Sequence, residues 1–466
     1  MNYDRLLTSV YKHSISYNCK SGIMRCMVLF LLACCLVNSL KAQGGFRAAV
    51  VKVDITPESP QMMAGYGARK LKSAGVHDHI FHRIVVLDNG VTQFILISSD
   101  LGKYSPSVYD QVEAQLQKQY GIDPLNVWWS YTHTHAAPQV GPPSLSGISS
   151  PENKNYVDDE YTVFLKRKLI EGIVEARGKL VAARLGTGWG FSQANINRRA
   201  VDIDGKATIG LNPDGPVDRR IGMIRIDKED GTPLVLIVNY PIHGTVMGAE
   251  NLDISGDAPG IVSAYVEEKI GAPVLFINGA AGDLAPIYSV YPSAKAGHLG
   301  EFRVLLGDKI LEANKKISAT EGAVTLTTGA LTVETPRKAG HDEWPADLGK
   351  YTKDNKAGVH MVLLPVRFLK INDDIAIWSA PLELFCEISN EVRDRSPFPY
   401  TFYFGYTNGH MRYLPTEAAF KQGGYETDVS PFSPSAARDL TESVVGYLQG
   451  EMKTERSNRV QSKQRK

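Results

Sequence analysis

Twice along this chain a short apolar strand, an amphipathic helix and a second apolar strand follow one another. Residues 93–99 read as the first strand, 107–120 as a helix with apolar spacing at Val108, Val112 and Leu116, and 126–131 as the second strand. The same order returns at 234–239, 258–270 and 273–277. A strand that continues into a helix and then a neighbouring strand pairs in parallel with its partner, and the functional loops then gather at the strand C-termini. Residues 46–54 add a further strand before Pro57 and Pro60, and a helix is predicted over 301–317. The stretches 323–333, 362–369 and 374–378 read as strands of a more antiparallel layer, followed by helices over 381–395 and 435–449. With no internal repeat or linker, the expected fold class is α/β. A mixed sheet with parallel βαβ units is flanked by helices in a single large domain, 43–450, with an additional, more antiparallel layer.

Of the 466 residues 43% are hydrophobic and 22% charged, which suits a globular chain and excludes collagenous, coiled-coil and disordered classes. The formal charge of +1 hides an asymmetry, because residues 1–42 and 451–466 each carry a net +4 and leave the body at −7. An acidic body offers no electrostatic footprint for nucleic acid. The basic segment 451–466 reads as a disordered tail. Residues 27–37 form an apolar run after Arg25, and Ser39 and Ala42 give a small-residue approach to cleavage near Ala42. Eleven apolar residues are too few to span a bilayer, so 1–42 reads as a signal peptide of an exported, periplasmic or secreted protein, with Met24 as an alternative start. A short membrane anchor is the alternative. Four of the five cysteines lie in this leader; only Cys386 remains, so no internal disulfide staples the body. In its apolar surroundings Cys386 reads as a buried small hydrophobe.

The polar residues concentrate where the strands end. Thr132-His133-Thr134-His135-Ala136-Ala137-Pro138 follows the 126–131 strand, and if that strand continued, both imidazoles would share one face. Tyr240-Pro241-Ile242-His243-Gly244-Thr245 leaves the later strand, Ser255-Gly256-Asp257 opens the next helix, and Asn278-Gly279-Ala280-Ala281-Gly282-Asp283 leaves the last strand. Imidazoles at strand termini suit a metal ligand with an acid–base neighbour. The glycine-rich loops fit an anion-binding nest or, more simply, turns that need positive φ. His77, His79 and His82 also cluster, which one strand entering the sheet explains as well as a second metal does.

These motifs, in this order and across about 46–450, resemble the neutral/alkaline, non-lysosomal ceramidases. Met62-Met63-Ala64-Gly65-Tyr66 is similar to that family's early Met-Met-Gly-Tyr element, and Thr132 to His135 with Ala-Ala-Pro to its Thr-His-Thr-His-Ser-Gly-Pro signature. Asn195-Ile196-Asn197-Arg198 and His243-Gly244-Thr245 with Ser255-Gly256-Asp257 match directly. Pro381-Leu382-Glu383-Leu384 resembles Pro-Gly-Glu-Phe, and Asn408 to Tyr413 with Thr416 resembles Asn-Val-Tyr-x-x-Tyr…Thr. The resemblance implies Zn²⁺ held by His133, His243, Glu383 and Tyr413, with His135, Tyr413, Arg198 and Asp283 as catalytic residues and Asp257 orienting ligands. Taken singly, Glu383 reads as a helix N-terminal carboxylate, Tyr413 as a core tyrosine and Arg198 as half of a surface ion pair.

The expected function is therefore an exported zinc-dependent hydrolase. It would cleave the N-acyl bond of ceramide or a related lipid amide by metal-activated water, with peripheral membrane contact to reach its substrate. A carbohydrate-derived substrate on the same zinc site, or a non-catalytic binding protein, are the alternatives. Two departures bear on the substrate. The family's Gly-Asp-x-Ser-Pro loop has Ala285 in the serine position, which excludes a serine nucleophile there. The family's C-terminal immunoglobulin-like domain is not expected after residue 450.

Overall fold

The computed structural model describes residues 45–142, 158–289, 298–340 and 344–464, with side chains to residue 452; the expected signal peptide lies outside them. Every residue of the strand Gln93–Ser99 except Gln93 is buried, as are all five of Val127–Tyr131. Their alternate side chains belong to different cores. Phe94, Leu96 and Trp128 face one way, while Ile95, Ile97, Val127 and Trp129 face the other. A strand covered on both faces reads as a continuous apolar run, which is why the sequence shows it so plainly.

The main sheet has eight strands. Their order is Val274–Asn278, Pro233–Tyr240, Arg220–Lys228, Val181–Phe191, Arg47–Asp54, Phe81–Asp88, Gln93–Ser99 and Val127–Tyr131. Only the outermost pair at each end is parallel, and these are the two expected βαβ units. All pairs between them are antiparallel. The sheet curls so that its two ends meet, with Ser98 Oγ donating to the Phe276 carbonyl at 2.5 Å.

A second sheet, ordered Leu326–Pro336, His360–Ile371, Ile375–Ser379 and Tyr400–Phe404, packs on the first. Ile375 and Ile377 join Leu96, Ile237 and Leu275 between the sheets; Ala376 and Trp378 point to the helices outside. Helices Pro106–Tyr120 and Glu160–Arg177 cover one part of the outer face of the main sheet, and Asp257–Ile270 with Lys309–Asn314 cover another. Cys386–Arg395 and Ala436–Gln464 cover the second sheet. The result is a four-layer α/β/β/α unit spanning Phe46–Lys466.

Three expected elements differ. The helix over 301–317 is divided into the 3-10 turn His298–Glu301, the π-helical Arg303–Asp308 and the α-helix Lys309–Asn314. The helix expected from 381 starts only at Cys386, because Glu383–Leu384 is used as a short strand. The last helix runs on to Gln464, through most of the basic segment read as a tail, since no proline or glycine after Gly450 interrupts it. Among the described residues no helix is long and apolar enough to cross a membrane.

Candidate metal centre and cleft

The meeting of the two sheet ends brings the histidine loops together. Asn278, at the end of its strand, donates from Nδ2 to the Thr132 carbonyl at 3.1 Å and the Ile242 carbonyl at 2.7 Å. One amide thus ties the residue before His133 to the residue before His243. The loops then touch directly, with His135 N–H donating to the Gly244 carbonyl at 2.7 Å. A Cβ on Gly244 would sit 2.6 Å from Thr134 Cα and 2.8 Å from the His133 carbonyl oxygen, so only glycine allows this approach.

His133 and His135 do not share the face of a continued strand. The strand stops at Tyr131, and His133 takes φ 63°, a left-handed backbone that costs a non-glycine residue energy. The kink turns the two rings toward each other, with Nε2 atoms 3.3 Å apart and ring centroids at 4.8 Å. Tyr406, itself at φ 53°, stacks on His133 with centroids 4.6 Å apart.

Glu383 arrives from a two-residue parallel ladder in which it lies opposite Tyr413. Its Oε2 is 3.1 Å from His133 Nε2 and 3.2 Å from His243 Nε2. The outer nitrogens are fixed by carbonyls: His133 Nδ1 donates to Gly102 O at 2.6 Å and His243 Nδ1 to Leu284 O at 2.8 Å. Burial first, then Arg198, pushes the His243 pKa down to about 4, so the ring is neutral with its proton on Nδ1. Its Nε2 lone pair therefore accepts from Arg198 Nη1 at 3.0 Å and lies 3.2 Å from the carboxylate oxygen. Burial opposes charge on Glu383, but the surrounding imidazoles, His133 foremost, hold it well below the usual carboxylate range.

Arg198 donates to the same His243 nitrogen, and buried imidazole nitrogens and carboxylate oxygens converging this closely are the kind of donor set that a metal cation takes. Ligand atoms on a four-coordinate zinc-sized ion are separated by roughly 3.4 Å, close to the spacing here. The buried donor set thus fits a metal. His133, His135 and His243 also have ligand atoms within 4.8 Å of one another and could hold one.

His135 is held neutral, burial and then His133 and His243 pushing its pKa well below 6.5, and its buried Nδ1 has no partner among the described residues. Arg198 is not on the surface. Its Nε donates to Glu426 at 2.9 Å, Nη1 to His243 Nε2 at 3.0 Å and Nη2 to the Tyr413 hydroxyl at 3.2 Å. Burial disfavours its charge, yet Tyr413 and Glu426 outweigh that and keep it protonated. The Tyr413 phenol is pushed well up, by burial and then by Glu383.

Asp283, expected at the chemistry, does not line the cleft. Its carboxylate accepts from Cys386 N at 2.9 Å and Asn197 Nδ2 at 3.1 Å, and its own carbonyl accepts from Arg198 N at 2.8 Å. Burial pushes its pKa up to about 7. It is a brace between the strands that carry Arg198 and Glu383. Cys386 is buried as expected and directs its thiol at this brace, 3.3 Å away. Asp257 likewise binds backbone, accepting from Val246 N at 3.1 Å and Met247 N at 3.0 Å in the loop beyond His243.

Neither Gly279 nor Gly282 has positive φ, so their loop is not the expected turn. A Cβ on Gly282 would come within 2.5 Å of the Glu383 carbonyl, and the glycine serves that close packing. The other histidine cluster separates: His79 pairs with Asp54 at 2.7 Å, His77 with Asp78 at 2.7 Å, and buried His82 bonds Ser99 Oγ at 2.6 Å.

Two groups bonded to the expected site residues escaped the sequence reading. His410 donates from Nε2 to Glu383 Oε1 at 2.7 Å, completing the carboxylate's surroundings. It stands where the resembling pattern has tyrosine, and that departure was its one signal. Glu426 anchors Arg198 from a short helix with no motif around it.

These groups open into a cleft holding about 1100 Å³ of empty space, mouth included. Gly65, Ala68, Ile209, Ala249 and Ala285 supply apolar lining, and Tyr66, Tyr413 and Tyr425 aromatic rings. Lys103 and Arg412 also line it. Burial first, and Arg412 next, push the Lys103 pKa down to about 8.

Residues 46–282 match the family model described as neutral/alkaline non-lysosomal ceramidase, N-terminal. Similar relatives include neutral ceramidase B of Dictyostelium discoideum, 27% identical over 52% of this chain and 34% of its own length. Neutral ceramidase A of the same organism is 30% identical over 46% of this chain and 31% of its own. The neutral ceramidase of Oryza sativa subsp. japonica is 26% identical over 57% and 34%. The matched segments thus span about a third of these relatives. The crystal structure of neutral ceramidase from Pseudomonas aeruginosa superposes with a TM-score of 0.67 at 20% identity, over 86% of this chain and 73% of that one. That likeness establishes the shared fold.

Proposed function

This chain belongs to the neutral/alkaline non-lysosomal ceramidase family, and from that premise we propose that it is an exported zinc-dependent hydrolase of ceramide or a related lipid amide. The observation that carries the reading is the buried convergence of His133 Nε2 and His243 Nε2 on Glu383 Oε2, at 3.1 Å and 3.2 Å. His133, His243, Glu383 and Tyr413 would hold Zn²⁺, and His135 stands close enough to share in the ligation or to contact substrate. Zinc would supply a Lewis acid that polarises the acyl oxygen and lowers the pKa of water.

The protein's own residues set the geometry around that chemistry. The Gly102 and Leu284 carbonyls fix the two imidazole tautomers, which is how metal-binding histidines are oriented. His410 occupies the second oxygen of Glu383 and leaves Oε2 for the metal. Arg198, held by Glu426, donates toward the Tyr413 oxygen, so negative charge developing there is compensated. Hydrolysis adds the water oxygen to the acyl carbon, breaks the C–N bond and sends a water proton to the leaving amine. The products are a fatty acid and a free amine, a sphingoid base when the substrate is ceramide.

The test is mass-spectrometric detection of free sphingoid base from N-acylsphingosine incubated with the purified protein, with and without a zinc chelator. Chelator-sensitive release is the expected result and would also show that Ala285 suffices at that position. A folded, zinc-loaded protein that releases no base would overturn the ceramide reading.

A further inference from the structure

We propose that Lys103 and Arg412 form an oxyanion subsite in the cleft, so that the preferred amide carries a carboxylate, sulfonate or phosphate on its amine half. The substrate assignment rests on the hydrolase reading above; the anion site itself rests on the following geometry.

Both side chains line the cleft beside His133, Glu383 and Tyr413. Arg412 is 9% exposed, and its Nε is buried without a hydrogen-bond partner among the described residues. Among the described residues no carboxylate pairs with either cation. The other buried guanidiniums around the cleft end differently. Arg69 donates to the carbonyls of Ala64 and His135, and Arg198 and Arg199 both end on Glu426. Glu383 is the nearest candidate counter-charge, but its oxygens already face His133, His243 and His410. Arg412 is withdrawn from water without a counter-charge and half-buried Lys103 shares the cleft wall with it, a costly arrangement that an incoming anion relieves. A guanidinium beside an ammonium suits a tetrahedral or planar oxyanion, the first through its donor fork and the second as a point charge.

The backbone places this pair next to the chemistry. Lys103 follows Gly102, whose carbonyl fixes His133. Arg412 precedes Tyr413, sits at φ 72° and accepts from Glu383 N at 3.0 Å through its own carbonyl. An anion held there belongs to the part of the substrate close to the scissile bond, not to the far end of an acyl chain.

Four N-decanoyl amides sharing one acyl chain and a two-carbon amine half test this. They end in hydroxyl, carboxylate, sulfonate or phosphate. At least one anionic amide is expected to exceed the neutral one in kcat/KM by about tenfold, a charged hydrogen bond's worth, and the identity of that anion names the source. Lys103→Met and Arg412→Leu should each bring the anionic-to-neutral ratio down by about tenfold. Their melting temperatures should hold or rise, since each removes an unpaired cation. A neutral preference in the native protein, or a ratio that neither variant changes, overturns the subsite. If no amide is cleaved, calorimetric binding of the same amides decides the subsite, while the hydrolase reading stands or falls on the N-acylsphingosine assay. Tighter binding of an anionic amide, lost in Lys103→Met, upholds it; equal affinity for all four rejects it.

Discussion

Two buried polar clusters in this molecule contrast sharply. At the start of the strand Phe81–Asp88, Arg83 donates to Asp100 at 2.8 Å and to Glu267 at 2.8 Å, and Lys52 completes Glu267 at 2.6 Å. Two cations meet two anions there, and only one oxygen of Asp100 is left over. Around Glu383 the balance does not close. The imidazoles of His133 and His243 crowd a carboxylate on one side, while among the described residues Lys103 and Arg412 lie without an anion on the other. A cluster that satisfies itself holds the fold. One that needs both a cation and an anion from outside is built to receive them.

Breaking each cluster should therefore have opposite signatures. His133→Ala should lower amide hydrolysis by at least about a thousandfold, the several kcal/mol that a Lewis-acid centre supplies, while the melting temperature measured without metal barely moves. Full activity in that variant would dissolve the contrast. Arg83→Met should instead cost about 3–5 kcal/mol in denaturant unfolding by stranding Asp100 and Glu267, with metal content per folded chain unchanged.

Smaller changes sharpen the distinction. Glu426→Gln leaves every expected ligand in place but loosens Arg198, and kcat should fall by about 10–100-fold with metal retained. Should KM rise instead with kcat intact, Arg198 would belong to substrate binding alone. His82 tests the fold alone, through pH. Burial pushes its pKa down to about 3, below its unfolded value near 6.5, so the unfolded chain binds the extra proton between those pH values. His82 thus contributes stability above about pH 6.5 that is lost as pH falls, at up to about 1.4 kcal/mol per unit. His82→Gln should flatten the unfolding free energy against pH from 6.5 to 4.

Much of this organisation was legible in the sequence, and the exceptions have physical causes. The two βαβ units could be read because their strands are buried on both faces. Val181–Phe191 could not, since Gly186, Gly188 and Gly190 leave its outer face without side chains, and residues 313–319 lie directly upon it. The apolar spacing from 381 to 395 is helical and by itself puts Glu383 at a helix N-terminus. Its pairing with Tyr413 depends on a segment 30 residues away in sequence. The His133 kink is set by contacts with Gly244 and Asn278 from the other end of the sheet, which no local pattern encodes. Asp283 carried a motif and proved to be a brace, whereas Lys103 and Arg412 carried none and line the cleft.

The central claim is that the cluster around Glu383 is a metal centre, and elemental analysis tests it most directly. The protein is loaded with zinc, dialysed and measured by inductively coupled plasma mass spectrometry beside Glu383→Ala and Arg83→Met. One zinc per native chain, retained in folded Arg83→Met and lost in Glu383→Ala, is the predicted result. A folded native protein that holds no metal, or a Glu383→Ala variant that holds as much, would contradict it.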